Sequence, residues 1–132
     1  MPEVLQQMLN YVIAIYIRLS AEDGDLSDEK SESNSVVNQR AYIRRFIELR
    51  PEFARAQILE FCDDGYSGTN MERPAVRRLL EQVRQRKINC IIVKDMSRFG
   101  RDYIVLGYYL EQILPFLDVR FIAINDSYDS KD

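Results

Sequence analysis

Histidine is absent from this sequence of 132 residues. That excludes a Ser-His-Asp hydrolase, a histidine general acid and an HExxH metal site, so any nucleophile must be activated by other groups. Cysteine is scarce. Cys62 and Cys90 sit in separate apolar runs with neither CxxC spacing nor a histidine to share a metal, which predicts reduced core thiols rather than ligands or a disulfide. No apolar run approaches the roughly 18 residues that a membrane helix needs, and Met1–Asn10 lacks the basic-then-apolar order of a secretion signal. The expectation is a soluble, cytoplasmic protein with no membrane partner. Internal repeats and low-complexity segments are also missing.

Positive charge is in the minority, with 18 Lys and Arg against 21 Asp and Glu and a net charge of −3. Such a balance argues against a general nucleic-acid coat, but the charge is unevenly spread. Between Arg73 and Arg101 stand nine basic residues (Arg73, Arg77, Arg78, Arg84, Arg86, Lys87, Lys94, Arg98, Arg101) and two acids (Glu81, Asp95), a net +7 that leaves −10 for the remainder. An asymmetry of this kind marks an anion-facing side. For Arg77, Arg78, Arg84 and Arg86 the simpler reading is the solvated face of a helix.

The chain is long enough for one core and short for two. A leader, residues 1–11, precedes a single domain over residues 12–132. Val12 to Leu19 (VIAIYIRL) is nearly continuous apolar and β-branched, the pattern of a strand covered on both faces. Similar runs follow at Gln57–Cys62, Asn89–Val93 and Val119–Ile124. Between them lie helical patterns: about Val36 to Leu49, with Ser33 or Ser35 as cap; a helix opening at Pro74, with Val76, Leu79, Leu80 and Val83 on one stripe; and about Asp102 to Leu114, with Leu106, Leu110 and Ile113 inward and Pro115 as the stop. The alternation predicts an α/β fold, a three-layer sandwich around a mostly parallel sheet. Ala21–Glu32, with six acids, reads as a mobile loop, and Asn125–Asp132 as a polar tail.

Open α/β sheets place their sites beyond the carboxyl ends of the strands. Those ends deliver Arg18-Leu19-Ser20, Asp63-Asp64-Gly65-Tyr66-Ser67-Gly68 and Lys94 through Asp102. Period two puts Tyr16, Arg18 and Ser20 on one side of the first strand. Arg98 and Arg101, three apart at a helix start, suit one anion. A serine among arginines, without histidine, points to phosphoryl rather than acyl transfer, because guanidinium groups match phosphate oxygens. Each element alone has a plainer reading. The serine is a turn or cap residue, Asp-Gly is a turn, Arg18 is a surface residue, and Arg98 with Asp102 is an i,i+4 pair.

Tyr16-Ile17-Arg18-Leu19-Ser20 resembles the Y-x-R-x-S signature that opens the catalytic domain of resolvase/invertase-type serine site-specific recombinases. Ser35-Val36-Val37-Asn38-Gln39 is similar to their S-x-x-x-Q segment. Asp63-Asp64-Gly65-Tyr66-Ser67-Gly68, followed by Arg73-Pro74, resembles their D-x-x-S-G and R-P elements, and Ser97-Arg98-Phe99-Gly100-Arg101-Asp102 their S-R-x-G-R-D/N. The resemblance spans about Val12 to Ile124. Ser97 stands where small resolvases usually carry aspartate, so the chain is most similar to the large serine recombinases, the integrases and transposon enzymes.

The resemblance implies site-specific DNA recombination in which Ser20 attacks a backbone phosphate, forms a 5′-phosphoserine link and releases a 3′-hydroxyl. Arg18, Arg73, Arg98 and Arg101 would position and neutralise the phosphate, with Gln39, Asp64 and Ser67 supporting the geometry. It further implies double-stranded DNA as partner, a homodimer and a synaptic homotetramer, no cofactor or metal, and a C-terminal DNA-binding region absent from this chain. Two rival functions stay open: a receiver-like signalling module using Asp63, Asp64 and Lys94, and a catalytically silent assembly domain.

Overall fold

β1, Val12–Leu19, is buried over its inner six residues, as its unbroken apolar composition requires. A computed structural model of the chain describes residues 10–19, 35–64, 73–100 and 102–132, and β1 is a central strand of the sheet they build. β2 (Gln57–Asp64), β3 (Cys90–Val93) and β4 (Arg120–Ala123) extend it in parallel, and β5 (Tyr128–Asp129) adds an antiparallel edge. The order is β2-β1-β3-β4-β5. β1 therefore connects to one side and β3 to the other, which opens a switch point between their carboxyl ends.

Alternation along β1 sorts the core into two layers. Ile13, Ile15 and Ile17 pack with Ile43 and Ile47 of α1 (Val36–Glu48). Ala14 and Tyr16 face the other way, onto Val76, Leu79, Leu80 and Val83 of α2 (Pro74–Arg84). The same second layer takes Phe99 from α3 (Met96–Phe99) and Leu106 from α4 (Tyr103–Tyr108). Each fully buried Leu or Ile side chain contributes about 1.5–3 kcal/mol. The expected three-layer sandwich is what forms. Ser35 caps α1 by accepting from Asn38 N at 3.1 Å. Cys90 is buried and Cys62 half-buried, with no disulfide between them, and burial pushes the Cys90 thiol up to about 12.

Three elements depart from the expected pattern. The third helix does not end before Pro115: α4 runs on through a π-helical turn, Tyr109–Ile113, into a last α turn, Leu114–Phe116. A proline cannot donate to the carbonyl four residues back and its ring crowds that carbonyl; a wider turn ahead of it admits the ring. The extra residue also moves the inward position from Ile113 to Leu114. The segment after β3 makes a separate short helix, α3, before α4 begins. The polar tail folds back as β5, held by Phe121 N donating to Ser130 Oγ at 2.8 Å.

At the opposite edge from the strand carboxyl ends, Arg120 is buried and donates to Asp129 Oδ1 and Oδ2 (3.0 and 2.6 Å), Glu52 Oε2 (3.1 Å) and the Tyr11 hydroxyl (3.1 Å). Hydrogen bonding to Arg120 holds the Asp129 carboxyl below its usual range. Glu52 is also lowered: burial is the largest single influence and opposes the shift, but the bond to Arg120, a backbone hydrogen bond and the charges of Arg120 and Arg50 together outweigh it. Depressed carboxyls stabilise the fold above their unfolded pKa values and lose that contribution as pH falls through the folded ones. Stability should thus decline as pH drops below about 4, and Arg120→Met should flatten this acid limb. Urea melts at pH 3 and pH 7 check it; an unchanged pH difference in the variant contradicts the assignment.

Candidate active site

β1 delivers Arg18 to the switch point with its side chain fully buried. Burial of a guanidinium demands acceptors. Arg18 finds them in the backbone of α3, its Nε donating to Arg98 O at 3.2 Å and its Nη2 to Ser97 O at 3.0 Å. In return Arg98 Nη1 donates to Arg18 O at 2.9 Å, and Gln39 Nε2 of α1 donates to the same oxygen at 3.2 Å. The carbonyl two residues ahead of Ser20 is thereby held by two donors from different elements.

Arg73, immediately before α2, reaches the same segment. Its Nη1 donates to Arg98 O at 3.0 Å and to the Tyr16 hydroxyl at 3.1 Å, and its Nη2 to Phe99 O. Burial lowers the Arg73 pKa, an effect opposed by Tyr16 and Asp63. Asp95 caps α3 by accepting from Arg98 N at 3.2 Å, and its other oxygen lies 3.7 Å from Arg98 Nε. That pair takes the place of the i,i+4 contact to Asp102, which instead caps α4 through Ile104 N and Val105 N.

Four of the expected site residues, Arg18, Gln39, Arg73 and Arg98, therefore meet around the carboxyl ends of β1 and β3 although they lie far apart in sequence. Ser20, Ser67 and Arg101 lie outside the described residues, as do the acidic segment 21–32, Ser33 and most of the leader. Asp64 is described only in its backbone, paired with Leu19 in the sheet register.

Two contributors, Asp63 and Tyr16, stand outside the set of phosphate-site residues expected from the sequence. Asp63 is buried, accepting from Ala75 N (2.8 Å) and Val76 N (3.0 Å) at the start of α2 and from the Tyr16 hydroxyl (2.7 Å). Tyr16 thus links the Asp63 carboxylate to Arg73. Burial raises the Tyr16 pKa far above the ordinary phenol range, so it works as a neutral donor. The signal was present: Asp63 shares strand parity with Phe61, which faces α2. With both carboxylate oxygens of Asp63 so engaged, this residue does not serve as the phosphoacceptor of a receiver-like pocket. Among the described residues no cluster of three His, Cys, Asp or Glu converges as a metal site, and no helix is long and apolar enough to cross a membrane.

Comparison with known proteins follows the same lines. The family model for the resolvase N-terminal domain matches residues 13–132. A putative DNA recombinase of Bacillus subtilis (strain 168) is 30% identical over 117 residues, 89% of this chain and 21% of the relative. The chain thus spans about a fifth of that relative's length. Among solved structures, the N-terminal catalytic domain of TP901-1 integrase superposes with a TM-score of 0.74 at 23% identity, over 91% of this chain and 82% of the other. A resolvase family site-specific recombinase from Streptococcus pneumoniae gives 0.65 at 24% identity, over 92% and 77%. The C-terminal catalytic domain of ISC1926 TnpA, an IS607-like serine recombinase, gives 0.62 at 19% identity, over 85% and 68%.

Proposed function

The chain belongs to the resolvase family of serine recombinases, and from that premise we propose that it cuts and rejoins DNA strands for site-specific recombination, with Ser20 as nucleophile. The observation that carries the reading is the convergence of Arg18, Gln39, Arg73 and Arg98 on the end of the strand that leads into Ser20.

The Ser20 hydroxyl oxygen bonds to phosphorus, the bond from phosphorus to the 3′ oxygen breaks, and a 3′-hydroxyl leaves with a proton. A 5′-phosphoserine link remains. A 3′-hydroxyl from another strand reverses the attack, restoring the phosphodiester and freeing the serine. Atoms and charge balance without a nucleotide, because the link conserves the energy of the broken bond. Arg98 and Arg101 contact the phosphate oxygens, and Arg98 takes part in proton transfer. Arg18 and Arg73 place positive charge behind them and brace the backbone of residues 97–99. Preorganised donors of this kind stabilise developing charge without reorganising during the reaction. Gln39 fixes the strand, and Asp64 and Ser67 support the geometry.

The partner is double-stranded DNA. In the intact recombinase the working species is a homodimer that pairs into a synaptic tetramer, with sequence recognition supplied by a region beyond this chain.

The test is covalent trapping. A recombination site is selected from a random-sequence pool with the intact recombinase, nicked so that the released end diffuses away, and incubated with the protein. Proteolysis and mass spectrometry should place the DNA on the peptide that holds Ser20. Attachment to any other residue, or none on a cleaved substrate, overturns the mechanism.

A further inference from the structure

On one side of α2 the exposed residues Pro74, Arg77, Arg78, Glu81 and Arg84 follow at intervals of three and four, so they form a single stripe along the helix. The stripe begins next to the buried Arg73 and leads away from the switch point. It lines a groove of about 650 Å³ together with Leu80 and Tyr109. A solvated arginine face, the simpler sequence reading, needs no such wall. Tyr109 belongs to the π-helical turn, and its ring meets Phe99 edge-on at 6.2 Å, while Phe99 meets Tyr16 at 6.4 Å. The groove and the arginine cluster therefore share one aromatic partition.

Charge decides the occupant. Arg84 is paired with Glu81 at 3.4 Å, whereas neither Arg77 nor Arg78 has a carboxylate partner among the described residues. Exposed, unpaired guanidinium groups on a chain of net charge −3 set a local positive field that suits a polyanion. From Arg77 to Arg84 the helix rises by about 10 Å, the axial reach of roughly three phosphates of one DNA strand. We propose that this face of α2 is a second DNA contact, which grips the phosphate backbone of the duplex flanking the cleaved phosphate. The proposal rests on the strand-transfer reading above and extends it to a surface outside the reacting centre. It positions DNA without reading sequence, since backbone contacts carry no base information.

The experiment is a salt titration of the full chain on a fluorescein-labelled duplex of random sequence, followed by anisotropy. Each phosphate contact contributes about 0.9 to the slope of log affinity against log salt. R77Q/R78Q should therefore lose about 1.8 of that slope, with an unchanged melting temperature because both side chains are exposed. R86Q/K87Q removes the same charge just past the end of the helix, off the stripe, and should lose less than half as much. An unchanged slope in R77Q/R78Q, or equal losses in the two pairs, overturns the proposal, as does a wild-type chain that binds no duplex at low salt. An adduct at Ser20 with an unaltered R77Q/R78Q slope sinks the groove alone. A reduced slope with no adduct sinks strand transfer and leaves a DNA-binding face.

Discussion

Replacing Arg98 with lysine should slow DNA cleavage by about 10²–10³, the loss that follows removal of one preorganised transition-state donor. The charge survives the substitution, so the effect isolates geometry. In the structure the Arg98 guanidinium already divides itself: Nη1 donates to Arg18 O at 2.9 Å, while Nε lies 3.7 Å from Asp95 Oδ2. A planar fork can hold the β1 carbonyl with one edge and present the other to a phosphate. An ammonium is a single point on a flexible stem and must choose. If it keeps the carbonyl, the phosphate loses its donor; if it turns to the phosphate, the strand leading to Ser20 loses one of its two anchors. Single-turnover cleavage of the nicked substrate measures the rate, and the melting temperature, which should move little, checks folding. A loss below about threefold would remove Arg98 from the reacting centre and leave it as a brace between α3 and β1.

The parts of this centre that sequence made legible are those with a local signature. The β-branched run of β1, the Pro74 start of α2 and the strand-end position of Arg18 and Arg98 each follow from a few neighbouring residues. What escaped depends on contacts between distant segments. Arg73 supplies no side-chain cap to the helix it precedes; the cap comes from Asp63, twelve and thirteen residues ahead of the groups it accepts from, and nothing near Pro74 announces it. β5 has only two residues and exists because β4 offers an open edge. The π-helical turn is a response to Pro115 within a helix that Leu106 and Leu114 hold against the sheet. Arg18 illustrates the division well: its position was legible, but its complete burial against the carbonyls of residues 97 and 98 was not.

Asp63→Ala should cost about 3–5 kcal/mol of unfolding free energy, the range for removing one partner of a buried, hydrogen-bonded charge. The carboxylate accepts from two backbone N–H groups of α2 and from Tyr16, and it is buried. Truncation leaves all three donors without that acceptor, and a lost helix cap alone is worth about 1–2 kcal/mol. The nearby Arg73 guanidinium also loses the negative charge that offsets its burial. Asp63→Asn separates the contributions. Its carbonyl oxygen can still accept from one of the α2 groups, but its amide must oppose another donor, so the loss should fall to about 1–3 kcal/mol. Tyr16→Phe removes only the link between Asp63 and Arg73 and should cost about 1 kcal/mol. If Tyr16 couples the cap to the arginine cluster, the Asp63→Ala and Tyr16→Phe losses will not add in the double variant. Urea denaturation of the wild type and the four variants supplies every value. A loss under about 1 kcal/mol for Asp63→Ala would mean that α2 is anchored by its apolar stripe alone, and that Arg73 keeps its place against the carbonyls of Arg98 and Phe99 without a carboxylate behind it.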